Sequence, residues 1–483
     1  MLFNSYEFLI FLPIVFLLYW FVFHNRRWQN LLIVIASYVF YGWWDWRFLF
    51  LIAFTSLCSF SSGLFLEYYE GHRKWQKYIS AFNIVVNLAI LCVFKYYNFF
   101  VENIDALFVS LFNYHLDWVT LKIILPVGIS FYTFQALSYT IDVYQKKIHA
   151  TRDIIEFFSY ISFFPQLVAG PIERATNLLP QFQKSRSFAY AKAIDGCRQM
   201  LWGFSKKIII ADNCAYIVDY YWSINLSGAS LFLLGVLFTF QIYCDFSGYS
   251  DIAIGCARLF GFNLMRNFNY PYFSRSIPEF WRRWHISLTT WFRDYIYFPL
   301  GGSRSGKWKT IRNVYVVWGI SGLWHGANWT YVCWGLYHAT LLAIYNLLGI
   351  NTKYKDSVAY GHSFPNLKEF FQLSITFLFA VIGWIIFRAE NMNQAVDYLY
   401  AMINNKFYDS SELYGKTCLC YCFILLIIEW LQRSKQHALQ FSGAILFKYR
   451  IVRWGIYVFL LSAIYISYMI NIEDDNQFIY FQF

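Results

Sequence analysis

Apolar runs long enough to cross a membrane follow one another along most of this 483-residue chain. A helix rises about 1.5 Å per residue, so roughly 20 apolar residues span the ~30 Å hydrocarbon core of a bilayer. Such runs predict about twelve crossings. They cover residues 8–23, 30–44, 48–66, 78–94, 123–143, 198–222, 229–247, two stretches within 312–349, 369–388, 417–432 and 453–471. Because no internal repeat or long polar linker interrupts the series, residues 1–483 are expected to form one all-α, polytopic membrane domain.

The composition excludes the common soluble classes. Charged residues make up 14% of the chain, against about 25% in soluble domains, and hydrophobic residues make up 58%. The net charge of +11 does not indicate a nucleic-acid partner here. It reflects the membrane topology, because Lys and Arg accumulate in the loops on the cytoplasmic side. A basic cluster follows residues 8–23 and the tail at 473–475 is acidic, so both termini are expected outside the cytoplasm. The ten cysteines show no zinc-ligand spacing, and no metal is expected.

Two apolar stretches are interrupted in ways that favour re-entrant segments over full crossings. Residues 154–170 end in Gly170 before a proline, and residues 250–264 contain Gly255 and Gly261. Irregular backbone at membrane depth is tolerated only where protein buries it or where it lines a wet cavity. These segments therefore predict a central funnel or tunnel.

A helix start is encoded just after the second of these stretches. Ser276, with Glu279 three residues later and Pro278 in the first turn, forms a capping-box pattern. Aromatic and apolar residues then recur at helical spacing on one face: Trp281, His285, Leu288, Phe292 and Tyr295. This pattern predicts one interfacial helix at the cytoplasmic surface, with its histidine turned toward the membrane body.

His325 is the histidine that the apolar pattern places deepest. It follows Arg312 by thirteen residues, or roughly 20 Å of helix, past the middle of the hydrocarbon core. A neutral imidazole at that depth could accept a proton from a hydroxyl group. Ser321 and Asn328, at i−4 and i+3, are placed to orient the ring. Three nearby glycines could admit a slender substrate or another backbone: Gly319, Gly322 and Gly326. The alternative is a packed histidine, with the glycines serving helix contact.

Three other polar residues within apolar segments are candidates for function. Asp245 and Asp251 could bind a coupling ion, but ion pairing is favoured because buried acids are usually paired. The arginines considered as partners are Arg258, Arg266 and Arg282. Gln135 could line the chamber or form an interhelical hydrogen bond. A proton-coupled transporter or polymer-export channel using both aspartates and His325 is therefore a rival to an enzyme, although no inverted repeat supports it.

Several motifs occur in order over most of the chain. The strongest lie at residues 280–288 (FWRRWHISL), 291–297 (WFRDYIY), 299–302 (PLGG) and 323–329 (LWHGANW). Supporting stretches lie at 125–131, 165–172, 245–251 and 477–483. Together they resemble the membrane-bound O-acyltransferase family, and within it the alginate O-acetyltransferase branch.

The resemblance implies a fold and a pair of site residues. The fold is a ring of membrane helices around a thin centre, with a funnel or tunnel near the catalytic histidine. The invariant histidine of the family corresponds to His325, and the second signature position corresponds to His285. In this interpretation His325 acts as general base or relay, His285 positions the donor or stabilises developing charge, and Trp324 supports the substrate tunnel.

The resemblance also implies the reactants. An acyl group, expected to be acetyl, would come from a cytoplasmic thioester such as acetyl-CoA or an acyl carrier, with no tightly bound cofactor. Four basic residues could attract this donor or bind anionic membrane lipid: Arg282, Arg283, Lys307 and Lys309. The acyl group would pass to a periplasmic partner acyltransferase and then to an exported polysaccharide, across a bacterial inner membrane. The rival enzymes are a teichoic acid D-alanyltransferase and a peptidoglycan O-acetyltransferase.

Overall fold

The structure, a computed structural model, is helical through the part of the chain that it describes. That part comprises residues 1–116, 118, 120–121, 123–304, 306–350, 354, 356–409, 415–441, 448–471 and 478–479, and it contains no β-strand. The acidic tail at 473–475, on which the predicted position of the C-terminus depends, lies outside the described residues.

The chain folds into two compact units. The first comprises residues 1–193 and 256–264, and the second comprises residues 194–255 and 265–483. The expectation of a single functional domain stays a prediction.

Nine helices lie in the first unit within the described residues. They are α1 (Tyr6–Leu17), α2 (Arg26–Gly42), α3 (Phe48–Tyr68), α4 (Arg73–Leu91), α5 (Tyr97–Phe112), α6 (Ile129–Tyr144), α7 (Ile154–Ser162), α8 (Phe164–Leu167) and α9 (Ala175–Phe182). The predicted re-entrant stretch 154–170 is the pair of short helices α7 and α8 followed by turns, and most of its residues are buried. Its irregular backbone is thus covered by protein, as a membrane protein requires.

The remaining helices belong wholly or mainly to the second unit. They are α10 (Tyr190–Phe204), α11 (Asp212–Tyr221), α12 (Gly228–Leu259), α13 (Ile277–Arg283), α14 (Ile286–Phe292), α15 (Lys307–His325), α16 (Trp329–Leu347), α17 (Leu367–Arg388), α18 (Met392–Asn404), α19 (Lys416–Leu431) and α20 (Arg450–Ile470). Wider π-helical turns join some of them, including Ser205–Ala211 between α10 and α11 and Arg293–Tyr297 after α14.

Every apolar run predicted as a crossing contains helix, and five helical segments in the described part are both long and apolar enough to span a bilayer. These are Phe48–Tyr68, Arg73–Phe112, Gly228–Leu259, Leu367–Arg388 and Arg450–Ile470. Large apolar side chains on α20 are exposed, among them Ile451 and Phe459. Such a surface is stable against lipid and costly in water. The count of about twelve crossings stays a prediction.

The prediction that residues 250–264 form a re-entrant segment is wrong for most of this stretch. Helix α12 continues unbroken to Leu259. Gly255 serves close packing instead, because a Cβ there would lie 2.5 Å from the carbonyl oxygen of Gly196. The turn comes at Gly261, whose φ of +86° favours glycine.

Candidate active site

The predicted interfacial helix is two short helices that meet at a bend. Ser276 caps α13 as expected, since its hydroxyl accepts from the backbone N–H of Glu279 at 3.3 Å. The helix ends at Arg283, Trp284 is extended, and His285 adopts left-handed backbone angles of φ 42° and ψ 54°. That conformation costs a residue with a side chain about 1–2 kcal/mol. The prediction of one continuous aromatic helix face that includes His285 is therefore wrong, because the backbone is left-handed at this residue and separates the two helices.

Asn267 holds this bend in place. Its carbonyl oxygen accepts from the N–H of Ile286 at 2.9 Å, and its side-chain Oδ1 lies 3.0 Å from Nδ1 of His285. The same Oδ1 accepts from the N–H and the hydroxyl of Ser287, at 3.3 and 2.9 Å. Asn267 and Ser287 are completely buried. Sequence reasoning missed Asn267; the available signal is a polar residue in an aromatic-rich stretch shortly before the Ser276 cap.

His325 is the last residue of α15, which confirms its predicted place thirteen residues along one helix from Arg312. Its ring is buried and packs edge-to-face against three aromatic rings. The centroid distances are 4.9 Å to Trp324, 5.0 Å to Trp334 and 5.3 Å to Phe387. Helix α15 ends there because Gly326 is extended. The aromatic packing fixes the plane of the imidazole.

The two histidines predicted as catalytic line one cavity of about 60 Å³. Its lining is mostly aromatic and aliphatic: Trp281, Trp284, His285, Leu288, Thr289, Phe292, Val317, Trp318, Ser321 and His325. Trp324 lies between the histidines, with its ring 6.1 Å from that of His285. The structure thus brings together three of the predicted residues, His285, Ser321 and His325, around an apolar space, with Trp324 packed against both imidazole rings.

Asn328 is placed differently from expectation. Because α15 ends at His325, Asn328 is not one turn further along the same helix. It is the N-cap of α16, where its side-chain oxygen accepts from Thr330 N–H at 3.0 Å and its amide donates to the carbonyl of Glu390 at 2.6 Å. Both ends of the Asn328 amide therefore form hydrogen bonds with groups other than the His325 imidazole.

The glycines around His325 have different surroundings. A Cβ at Gly322 would overlap the backbone carbonyl of Tyr331 on α16, lying 2.9 Å from the carbonyl carbon. A Cβ at Gly326 would overlap the Tyr331 ring, whereas one at Gly319 would meet no atom of the described residues within 4 Å. The helix-contact explanation therefore holds for Gly322, which lets α15 and α16 touch through their backbones.

The ion pairing predicted for the two aspartates is present, with different partners. Lys207 Nζ lies 2.7 Å from Asp245 and 2.9 Å from Asp212, while Lys206 Nζ lies 2.6 Å from Asp251. Both lysines are buried in the π-helical turn after α10. The predicted arginine partners are thus corrected to lysines, because the wide turn directs two successive side chains at different acids. Among the described residues, no group of three or more His, Cys, Asp or Glu could hold a metal ion.

The remaining predicted residues have separate roles. Arg283 is buried and pairs with Glu279 at 2.9 Å, so it is part of the fold. Arg282 is exposed and donates to the carbonyl of Tyr354 at 2.6 Å. Gln135 lies in the first unit, where its amide donates to the carbonyl of Tyr160 at 2.6 Å. This contact joins α6 to α7 and matches the interhelical alternative.

Comparison with known proteins agrees with the motifs. The sequence matches the membrane-bound O-acyltransferase (MBOAT) family over residues 33–386. The chain belongs to this family. This MBOAT is therefore an integral membrane O-acyltransferase, which disfavours the transporter and export-channel alternatives.

This MBOAT is similar over most of its length to proteins with named activities. It is 41% identical to the probable alginate O-acetylase AlgI of Pseudomonas putida over 416 residues, covering 86% of this chain and 82% of that protein. It is 42% identical to the AlgI of Pseudomonas aeruginosa over 415 residues, covering 86% and 77%. It is 30% identical to the peptidoglycan O-acetyltransferase of Helicobacter pylori over 493 residues, covering 91% of each chain.

Proposed function

We propose that this MBOAT takes an acetyl group from a cytoplasmic thioester and delivers it across a bacterial inner membrane toward an exported polysaccharide. A periplasmic partner acyltransferase completes the transfer, and residues 1–483 form one functional domain with both termini on the periplasmic side. The observation that carries the proposal is the pair of buried histidines on one small apolar cavity. The names of the alginate O-acetylase relatives support the acetyl group and the polysaccharide.

The proposed reaction is a thioester-to-ester exchange. His325 takes the proton of the acceptor hydroxyl as its oxygen attacks the carbonyl carbon of the thioester. The carbon–sulfur bond then breaks, and the departing thiolate takes the proton back from the imidazolium of His325. His285 lines the same cavity and contacts the reacting groups, and Trp324 packs against both imidazole rings. An apolar, aromatic lining lowers the local dielectric constant and so strengthens each polar contact made inside it.

The cavity favours acetyl over D-alanyl as the transferred group. A single water molecule needs roughly 10–15 Å³ by the same measure, so about 60 Å³ suits a group of a few heavy atoms. A D-alanyl group brings an ammonium, which needs a carboxylate partner when it is removed from water. The described residues that line the cavity include no carboxylate.

The exposed basic residues support a phosphate-bearing thioester donor. Lys307 and Lys309 are exposed at the start of α15, at the opposite end of that helix from His325, and Arg282 is exposed as well. Positive charge at a site entrance raises the local concentration of anionic substrates. Changing both lysines to Gln should raise KM for acetyl-CoA and reduce its dependence on salt. If the residues bind anionic lipid instead, KM will stay constant and lipid association will fall.

The proposal is tested in proteoliposomes loaded with the partner acyltransferase and polysaccharide, with donor added outside. Radiolabelled acetyl-CoA should label the enclosed polysaccharide, and His325→Gln should stop the labelling. A D-alanyl thioester should transfer far more slowly. Faster D-alanyl transfer, or label that crosses equally well with His325→Gln, would contradict the proposed donor or the proposed base.

A further inference from the structure

We infer that Asn267 is a positioning residue that fixes His285 in the Nδ1–H tautomer, so that His285 meets substrate as a hydrogen-bond acceptor through Nε2. The inference deepens the proposed function, because it rests on His285 contacting the reacting groups. It also chooses between the two roles that the sequence left open for this histidine.

The orientation of the Asn267 amide follows from a backbone group. The N–H of Ser287 can only donate, so the amide atom 3.3 Å from it must be the oxygen, Oδ1. The other end of the amide, Nδ2, donates to the hydroxyl of Ser250 at 3.2 Å. A reversed amide would place N–H groups against the Ser287 N–H, and a buried pair of facing donors is costly.

The tautomer of His285 follows from that orientation. Nδ1 lies 3.0 Å from Oδ1 of Asn267, and an amide oxygen accepts hydrogen bonds only. Nδ1 therefore carries the hydrogen. A neutral imidazole has one N–H, which leaves Nε2 with its lone pair.

The ring is also prevented from turning over. Phe246 packs edge-to-face on it at 4.6 Å between centroids, and Phe268 stacks nearly parallel at 6.4 Å. The backbone on both sides is bridged to the Asn267 segment, through the N–H of Ile286 at 2.9 Å and the N–H of Asn269 to the carbonyl of Arg283 at 2.9 Å. His285 can thus neither rotate nor exchange its hydrogen-bond partner without breaking the bend that carries it.

The tautomer of His285 limits what its Nε2 atom can do in the reaction. Stabilising negative charge on a thioester oxygen requires an N–H donor, which Nε2 of this tautomer lacks. A lone pair at Nε2 instead receives a hydrogen bond from an N–H or O–H group of a bound reactant other than the hydroxyl that His325 deprotonates. Of the two roles that the sequence left open, Asn267 therefore assigns His285 to positioning the donor, while its Nδ1–H stays with the protein.

The test reads the tautomer directly, apart from activity. Enzyme labelled with 15N-histidine in nanodiscs should show a protonated Nδ1 and a pyridine-type Nε2 for His285, identified by the signal lost in His285→Gln. Asn267→Leu should remove this tautomer preference. Asn267→Asp keeps an oxygen acceptor and should retain it, as should Ser250→Ala, which removes a contact at the nitrogen end of the amide.

The kcat values of the same variants supply a second measurement. Asn267→Leu should lower kcat by about 10- to 100-fold with little change in KM, the range found when a metal-ligating histidine loses the partner that orients it. Asn267→Asp should recover much of kcat, and Ser250→Ala should stay near wild type. A pyridine-type Nδ1 in the wild type, or an unchanged tautomer and kcat in a folded Asn267→Leu, would overturn the inference. Full activity of His285→Ala would instead refute the proposed role of His285. The 15N spectrum of the wild type would still show whether Asn267 fixes the tautomer.

Discussion

A methyl group added at Gly322 should lower turnover by disturbing the packing that positions His325. The Cβ of Gly322→Ala would lie 2.9 Å from the carbonyl carbon of Tyr331, and nearer still to its oxygen. Both atoms are backbone, so no side-chain rotation relieves the overlap. Helices α15 and α16 must separate by roughly half an ångström or more to restore a 3.4 Å contact.

The size of the effect follows from this separation. Overpacking of this kind typically costs about 1–3 kcal/mol of stability. His325 lies three residues beyond Gly322 on the same helix, so it shifts with the backbone. Misplacing a catalytic group by about 1 Å can cost roughly 100-fold in rate, and a shift of half that size should lower kcat by about 10-fold or more.

The chain offers a matched control on the same helix. Gly319→Ala makes the same chemical change where no atom of the described residues lies within 4 Å of the new methyl. Both variants gain about 1 kcal/mol of helix propensity, so their difference isolates the overlap. Melting temperature in detergent and kcat with labelled acetyl-CoA should fall for Gly322→Ala alone. Equal behaviour of the two variants would refute the argument that this backbone contact positions His325.

Three further substitutions test the site and its supports. His325→Ala should lower acetyl transfer by about 100-fold or more while melting changes little, since general-base catalysis contributes about 10²–10⁴-fold; retained polysaccharide acetylation would remove its catalytic role. His285→Ala should give a partial loss of kcat, and full activity would reduce this residue to packing. Lys207→Met should destabilise the protein by about 3–5 kcal/mol, because it leaves two buried carboxylates without their cation. The exposed pair of Lys146 with Glu70 supplies the control, and Lys146→Met should change stability by under about 1 kcal/mol; equal melting of the two lysine variants would show that burial does not set the cost.

Local patterns predicted the helices well because each depends on residues close in sequence. Apolar runs located α1 to α4 and α15 to α17, and the Ser276 cap marked the start of α13. The amphipathic helix α18 was missed, since its apolar residues are too sparse to resemble a membrane crossing. The place of His325 at the far end of one helix from Arg312 was predictable because helical rise depends only on the number of residues along α15.

Contacts between distant residues were beyond such patterns. The bend at His285 depends on Asn267, eighteen positions earlier, and a periodicity read along one segment cannot detect a partner outside it. The partners of Asp245 and Asp251 were mistaken for the same reason, because a π-helical turn changes which side chains share a face.

The sequence by itself determined an all-helical membrane acyltransferase and the two histidines proposed for its chemistry, because apolar length, helical rise and ordered motifs are properties of the chain. Only the tertiary structure decided that these histidines share one apolar cavity, which backbone N–H orients Asn267, and which glycine must stay a glycine. Those features depend on atoms from separate helices meeting within about 3 Å, and folding alone sets such distances.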